Sequence, residues 1–361
     1  MTRSRGELFL LTIALLLGGC GDGTGPGGGG PAENRIAFIT TGNIGSMRED
    51  GSNRVMLTQD EIGPYDGASE LLYWSPDGTR LLAHLTRQQS GGIVDEAVVV
   101  AGDGSGYSVA ASVLYWGLYV GSWSPDGSRI TYVEATSSHF GSSAIYTATP
   151  EGADKRQLVT GPSFPAAHDV QPAWSPDGQQ IAFLSDRVVP SMTGFGLHLF
   201  TTEVAGTGSL LLLPDRVSHF EWAPDGSRLV IMQANGVDYH GSLFSSIHLL
   251  DRASGASTRL SQQDNVDGVA VWSPDGSRLA FPSIRDGNIE LYVMNADGSG
   301  VQRLTDDPAD DLMPAWSPDG SRLAFQTGRD GNWEIYVINL DGTGLTNLTQ
   351  SPAQETTPAW R

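Results

Sequence analysis

From Asn34 to the C-terminus, apolar and polar residues alternate in short runs separated by turn residues. Arg322-Leu323-Ala324-Phe325-Gln326 and Glu334-Ile335-Tyr336-Val337-Ile338 are two such runs. Their period of two predicts half-buried strands. Ser317-Pro318-Asp319-Gly320 precedes the first and follows Met313-Pro314-Ala315-Trp316. Serine suits the first turn position, proline presets φ at the second, and glycine accepts the left-handed exit. Asp341-Gly342-Thr343-Gly344 makes another hairpin turn, and Leu345 to Thr349 supplies a fourth, outer strand. No stretch holds a helical period, so the predicted fold class is all-β.

The unit repeats. Trp74-Ser75-Pro76-Asp77-Gly78 recurs at Trp123, Trp174, Trp272 and Trp316, with Trp222-Ala223-Pro224-Asp225-Gly226 as a variant and Trp360 near the end. The spacing, about 44 to 51 residues, is that of propeller blades of four antiparallel strands. Arg35-Ile36-Ala37-Phe38-Ile39 matches the second strand of a blade, and Thr357-Pro358-Ala359-Trp360 matches a first strand. Each end lacks what the other supplies. The expected architecture for residues 34–361 is a seven-bladed β-propeller, closed when the C-terminal strand completes the N-terminal blade and removes two sheet edges.

The repeated W-S-P-D-G resembles the TolB-like, WD40-like propeller repeat known as PD40, over essentially everything after Asn34. The resemblance implies a propeller that binds partners in a bacterial periplasm. The pattern departs from TolB, which has six blades and a preceding α/β domain, so TolB's partnership with the Pal lipoprotein does not carry over automatically.

The first residues read as an address. Arg3 and Arg5 precede an apolar run from Leu8 to Leu17, which is too short to span a bilayer as a helix. It ends in Leu17-Gly18-Gly19-Cys20, which resembles a bacterial lipobox, with residues 1–19 as signal peptide and Cys20 as the lipidated N-terminus. Cys20 is the only cysteine, so no intrachain disulfide can form. Residues 20–33 are glycine-rich and expected to be a flexible tether. Gly21 in place of aspartate favours, by resemblance to Gram-negative sorting, the outer membrane facing the periplasm over the inner membrane.

The formal charge is −20, and Lys155 is the only lysine. Such a chain repels phosphate backbones, so nucleic acid is not an expected partner. Cationic peptides, metal ions and neutral glycans stay compatible with it.

The Ser-Pro-Asp-Gly and Asp-Gly turns share one face of the ring and read as structural. The opposite face carries the longer connections and the start of each inner strand. Five residues before the blade tryptophan stand Asp169, Asp267, Asp311 and Glu355, against Ser69, Leu118 and Val217 in the remaining blades, with His168 and Asp310 beside them. Converging carboxylates raise one another's pKa values or recruit a cation. On one reading, this acidic channel mouth binds a basic or amine-bearing partner, or a divalent ion through oxygen ligands. On the other, each acid caps its own loop and faces water. The connections 185–196 and 234–246, with Phe195, Tyr239, His240 and Phe244, are candidates for a recognition rim.

No G-x-S-x-G, H-E-x-x-H or Walker A pattern occurs. The expectation is therefore a non-catalytic, monomeric binding or scaffold protein of the cell envelope. It would be held to the membrane by its lipid, work without a cofactor unless a divalent cation serves, and take an envelope protein or peptide as partner. The enzymatic alternative is a propeller lyase or glycan-active enzyme with His168 and His219 converging with the acids over a metal at the channel. A third possibility is a purely structural envelope protein.

Overall fold

Serine-proline-aspartate-glycine turns join the innermost strand to the next in five blades, and Ala223-Pro224-Asp225-Gly226 does so in the fifth blade. In the seventh blade the Ser317 Oγ donates to Asp319 Oδ1 at 2.6 Å, and the same carboxylate accepts the Ser321 backbone N–H at 3.0 Å. Gly320 leaves the turn at φ 67°, where a β-carbon is disfavoured. Identical locks stand at Asp77, Asp177 and Asp275.

These hydrogen bonds hold the Asp77, Asp177, Asp275 and Asp319 carboxyls down at about 2, the serine hydroxyl being the largest cause in each. A depressed acid stabilises the fold above its unfolded pKa and loses that contribution as pH falls through the folded value. The melting temperature is thus expected to hold above pH 4 and to fall between about pH 4 and pH 2. Because these turns are solvent-exposed, each contributes little alone. Thermal melts of Asp319→Asn and wild type should converge at pH 2; an equal gap at pH 6 and pH 2 would refute the assignment.

The computed structural model describes residues 34–40, 43–58, 72–89, 92–114, 117–135, 143–158, 168–187, 196–204, 209–213, 215–237, 243–261 and 268–361. Cys20, the signal and tether stretches, Asp267, Phe195, Tyr239 and His240 lie outside them, as does the side chain of Phe244. Among the described residues the regular elements are all strands, arranged as seven four-stranded antiparallel sheets. The innermost strands are Tyr73–Trp74, Leu118–Trp123, Asp169–Trp174, Val217–Trp222, Val271–Trp272, Asp311–Trp316 and Glu355–Trp360.

The last of these belongs to the first blade. Glu355–Trp360 pairs antiparallel with Arg35–Thr40, with Ile36 opposite Trp360 and Thr40 opposite Glu355. The sheet order places the C-terminal strand innermost, beside the first N-terminal strand. The ring closes as the two ends of the sequence require.

The core lies between blades. Seven apolar clusters form among the described residues, and each draws on two neighbouring blades. One joins Ile36, Phe38 and Met47 of the first blade to Ala324, Ile335 and Leu348 of the seventh. The blade tryptophans stitch these interfaces. In five blades the indole N–H donates to the backbone carbonyl just before the preceding blade's tryptophan, as Trp123 does to Tyr73 at 2.9 Å and Trp74 to Ala359 at 3.0 Å. Arginines stack on the tryptophans from the solvent side, Arg80 on Trp123 and Arg322 on Trp360.

Candidate functional site

Asp169, Asp311 and Glu355 sit at the start of the inner strands, and each has a partner in its own blade. Asp169 is buried and takes two bonds from Arg187 Nη2, at 2.7 and 2.6 Å, and one from Ser185. Asp311 is fully buried and meets Arg329 Nη2 at 3.0 and 2.9 Å. Burial pushes its carboxyl up, with Thr327 and Arg329 opposing. Glu355, also fully buried, accepts from Arg54 at 2.5 Å and from Thr40 at 3.0 Å.

These three acids are joined to their own blades rather than to one another. The local reason is strand pairing. Asp169 lies opposite Ser185 and Asp311 opposite Thr327, and the arginine follows two residues after each of these. The carboxylate therefore fastens the inner strand to the loop after the second strand. Asp310 is exposed and accepts the Ile289 backbone N–H at 3.1 Å. His168 is exposed, and its backbone N–H donates to Asp186 at 2.6 Å. Among the described residues, no group of three or more His, Cys, Asp or Glu side chains could hold a metal ion.

A second set of residues lies further along the inner strands. Gln171, Met313 and Thr357 each precede a proline, with φ of 50°, 53° and 54°, and mark a bulge in their strands. Such left-handed non-glycine backbone is strained and persists only where the surroundings impose it. The Gln171 side-chain amide donates to His219 Nδ1 at 2.8 Å, joining the fourth and fifth blades, while Gln171 Oε1 is buried with no partner. Burial pushes the His219 imidazole down to about 4, so it is neutral at pH 7.

Glu221 occupies the place just before the tryptophan of the fifth blade. The other blades carry Tyr73, Ser122, Ala173, Val271, Ala315 and Ala359 there. Glu221 Oε2 accepts the Trp272 backbone N–H at 3.3 Å, and burial raises its carboxyl to about 8. Part of its surface stays accessible, as expected beside a narrow channel. Tyr73, three blades away, feels its charge: burial first, then Glu221, raises the phenol above its ordinary range. Sequence reasoning missed Glu221. The signal was its break with the repeat, Phe220-Glu221-Trp222 where related blades read Pro-Ala-Trp.

The mouth also carries apolar surface. Tyr119, Val269, Ile284 and Met313, at inner-strand starts or the adjoining turn, are large apolar side chains left exposed. Most other exposed large apolar residues lie in or beside the outer strands.

Comparison with known proteins agrees with this architecture. Residues 223–314 match the family model described as the dipeptidyl peptidase IV N-terminal region. The Tol-Pal system protein TolB of Anaeromyxobacter dehalogenans (strain 2CP-C) is 40% identical over 120 residues, 32% of this chain and 25% of that protein. The chain thus spans about a quarter of the length of the TolB relatives it matches. Among solved structures, TolB from Acinetobacter baumannii is 19% identical, with a TM-score of 0.54 over 92% of this chain and 67% of that one. An oligogalacturonate lyase in complex with manganese is 15% identical, with a TM-score of 0.61 over 87% and 85%. At such identities the structural likeness is one of fold.

Proposed function

Starting from a TolB-like β-propeller, we propose that this chain is a non-catalytic binding module of the bacterial envelope, which holds a partner protein or peptide over the mouth where the inner strands begin. In this reading Cys20 carries a lipid anchor in the outer membrane, residues 20–33 tether the ring, and the monomeric propeller faces the periplasm. The observation that carries it is the exposed apolar set of Tyr119, Val269, Ile284 and Met313 at that mouth. Apolar groups left in water and rimmed by polar ones are what a protein interface buries. His168 and Asp310 add exposed polar groups on the same rim. The arginine-locked Asp169, Asp311 and Glu355 hold the rim's shape in this reading and contact a partner at most through their edges. A Tol-Pal assignment for the relatives supports an envelope setting for this one.

The test is capture from envelope extract by residues 32–361, beside a Tyr119→Asp, Ile284→Asp variant with an unchanged melting temperature. A partner retained by the first and lost by the second is the expected result. Equal capture by both would refute the mouth as the binding surface.

A further inference from the structure

The second blade is taller than its neighbours. Its middle strands, Arg80–Gln89 and Gly92–Ala101, pair over ten positions, where those of the first and third blades pair over six. The four extra pairs lie at the mouth end and carry this ladder about 13 Å beyond the other two. The outer strand follows it upward. Tyr107–Leu114 has eight residues, against two to five in the other outer strands. It stands last in its sheet, and among the described residues no strand pairs with its outer side. Edges of this length are ordinarily blunted by a charged side chain or a proline, and residues 107–114 include neither.

The strand also presents an apolar face. It pairs Val94 with Leu114, Glu96 with Ser112, Val98 with Val109 and Val100 with Tyr107, the register shifting by one at Ala97/Val98. That bulge brings Tyr107, Val109, Ser112 and Leu114 onto one side of the sheet. Tyr107, Val109 and Leu114 are 37%, 40% and 63% exposed. The other side is covered by the third blade, where Ser108 Oγ donates to the Pro150 carbonyl at 3.0 Å. Arg87 stacks on Tyr107 and meets Glu96 at 3.0 Å, so the nearby charges answer each other.

Size and charge decide between occupants. A second copy would meet this edge over roughly 27 Å by 10 Å on each side, about 540 Å² in total, where stable interfaces begin at about 1,200 Å². Each copy would also bring a formal charge of −20. A segment of a partner already held at the mouth faces no such threshold, because its attachment nearby raises its effective concentration. The strand ends where the mouth begins. Gly117, three residues after Leu114, donates its N–H to Asp95 of the second blade at 3.0 Å, and the exposed Tyr119 follows two residues later.

We propose that Tyr107–Leu114 is a strand-addition site, which takes an extended, uncharged segment of the partner as a fifth strand of the second blade. Backbone hydrogen bonds hold the segment, and its apolar residues at every second position lie against Tyr107, Val109 and Leu114. The site rests on the binding-module reading for its partner and adds the conformation and chemistry of the segment recognised.

The experiment is hydrogen exchange read by mass spectrometry on the full chain. The probe is the peptide N-acetyl-Thr-Val-Thr-Val-Thr-Val-amide. The control has proline in place of each valine, since proline has no N–H to give a ladder. The expected result is saturable slowing of exchange over residues 107–114 by the first peptide and none by the second. The double variant Val109→Lys, Leu114→Lys changes two exposed side chains, should melt as wild type does, and should bind the first peptide about tenfold more weakly. No slowing over 107–114, equal slowing by the proline peptide, or undiminished affinity in the variant would overturn the site. Slowing in the chain alone that grows with protein concentration would assign the edge to a second copy and overturn it too. The Tyr119→Asp, Ile284→Asp variant separates the two readings, because it should keep the peptide while losing the partner from extract. If capture still depends on Tyr119 and Ile284 but no chain binds the peptide, only the strand-addition site falls.

Discussion

A chain ending at Gln354 is expected to show no cooperative thermal transition, whereas the full chain should melt as one unit. Deletion of Glu355–Trp360 removes the inner strand of the first blade and its pairing with Arg35–Thr40. It strips the Glu355 partner from Arg54 and Thr40 and the Ala359 carbonyl from the Trp74 indole. Trp360, which packs on the cluster between the seventh and first blades, goes as well, together with Arg361, which stacks on Trp74 at 4.4 Å. Two blade interfaces are weakened and the inner edge of Arg35–Thr40 becomes bare. Since domains are stable by only about 5–15 kcal/mol, losses on this scale exceed what the ring can absorb. Circular dichroism melts of the two chains make the comparison, and a truncated chain with an unchanged melting temperature would refute closure by the C-terminal strand.

The second large effect concerns Arg329. Arg329→Met leaves Asp311 fully buried with its counter-charge removed, and an unfolding free energy lower by about 3–5 kcal/mol is expected. Asp311→Asn in the same chain removes the stranded charge and should recover much of the loss. The pH dependence has a defined sign. Burial already raises Asp311, and without Arg329 the folded-state value rises further. An acid whose folded pKa exceeds its unfolded one destabilises the fold when ionised and ceases to do so as pH falls through the folded value. Arg329→Met should therefore approach wild type on going from pH 7 toward pH 5. Urea midpoints for the four chains of the cycle decide it. A single variant as stable as wild type would show that the pair is not a structural lock, and would return Asp311 to the candidates for partner contact.

Asp311 and Glu221 show where reading by position succeeds and where it stops. Asp169, Asp311 and Glu355 attract notice because one strand position is repeatedly acidic. For Asp169 and Asp311 the same stretch contains the explanation, since Arg187 and Arg329 each stand 18 residues after the acid they bind. Two strands and a turn of fixed length bring these residues together within one blade, so the pairing was available to local arithmetic. Glu221 and Tyr73 are different. They lie in blades three apart, and the Glu221 charge reaches the Tyr73 phenol only because the ring closes around a channel.

The sequence by itself determined the strands, the turns, the count of blades and the sharing of one blade between the two ends. Each of these depends on period-two patterning and turn chemistry acting over a few residues, repeated often enough to be unmistakable. The tertiary structure alone decided that Arg54 neutralises Glu355 and that Glu221 meets a backbone N–H and, among the described residues, no cationic side chain. Solvation and charge pairing depend on what surrounds a group in space, and in a closed ring those surroundings come from distant parts of the chain.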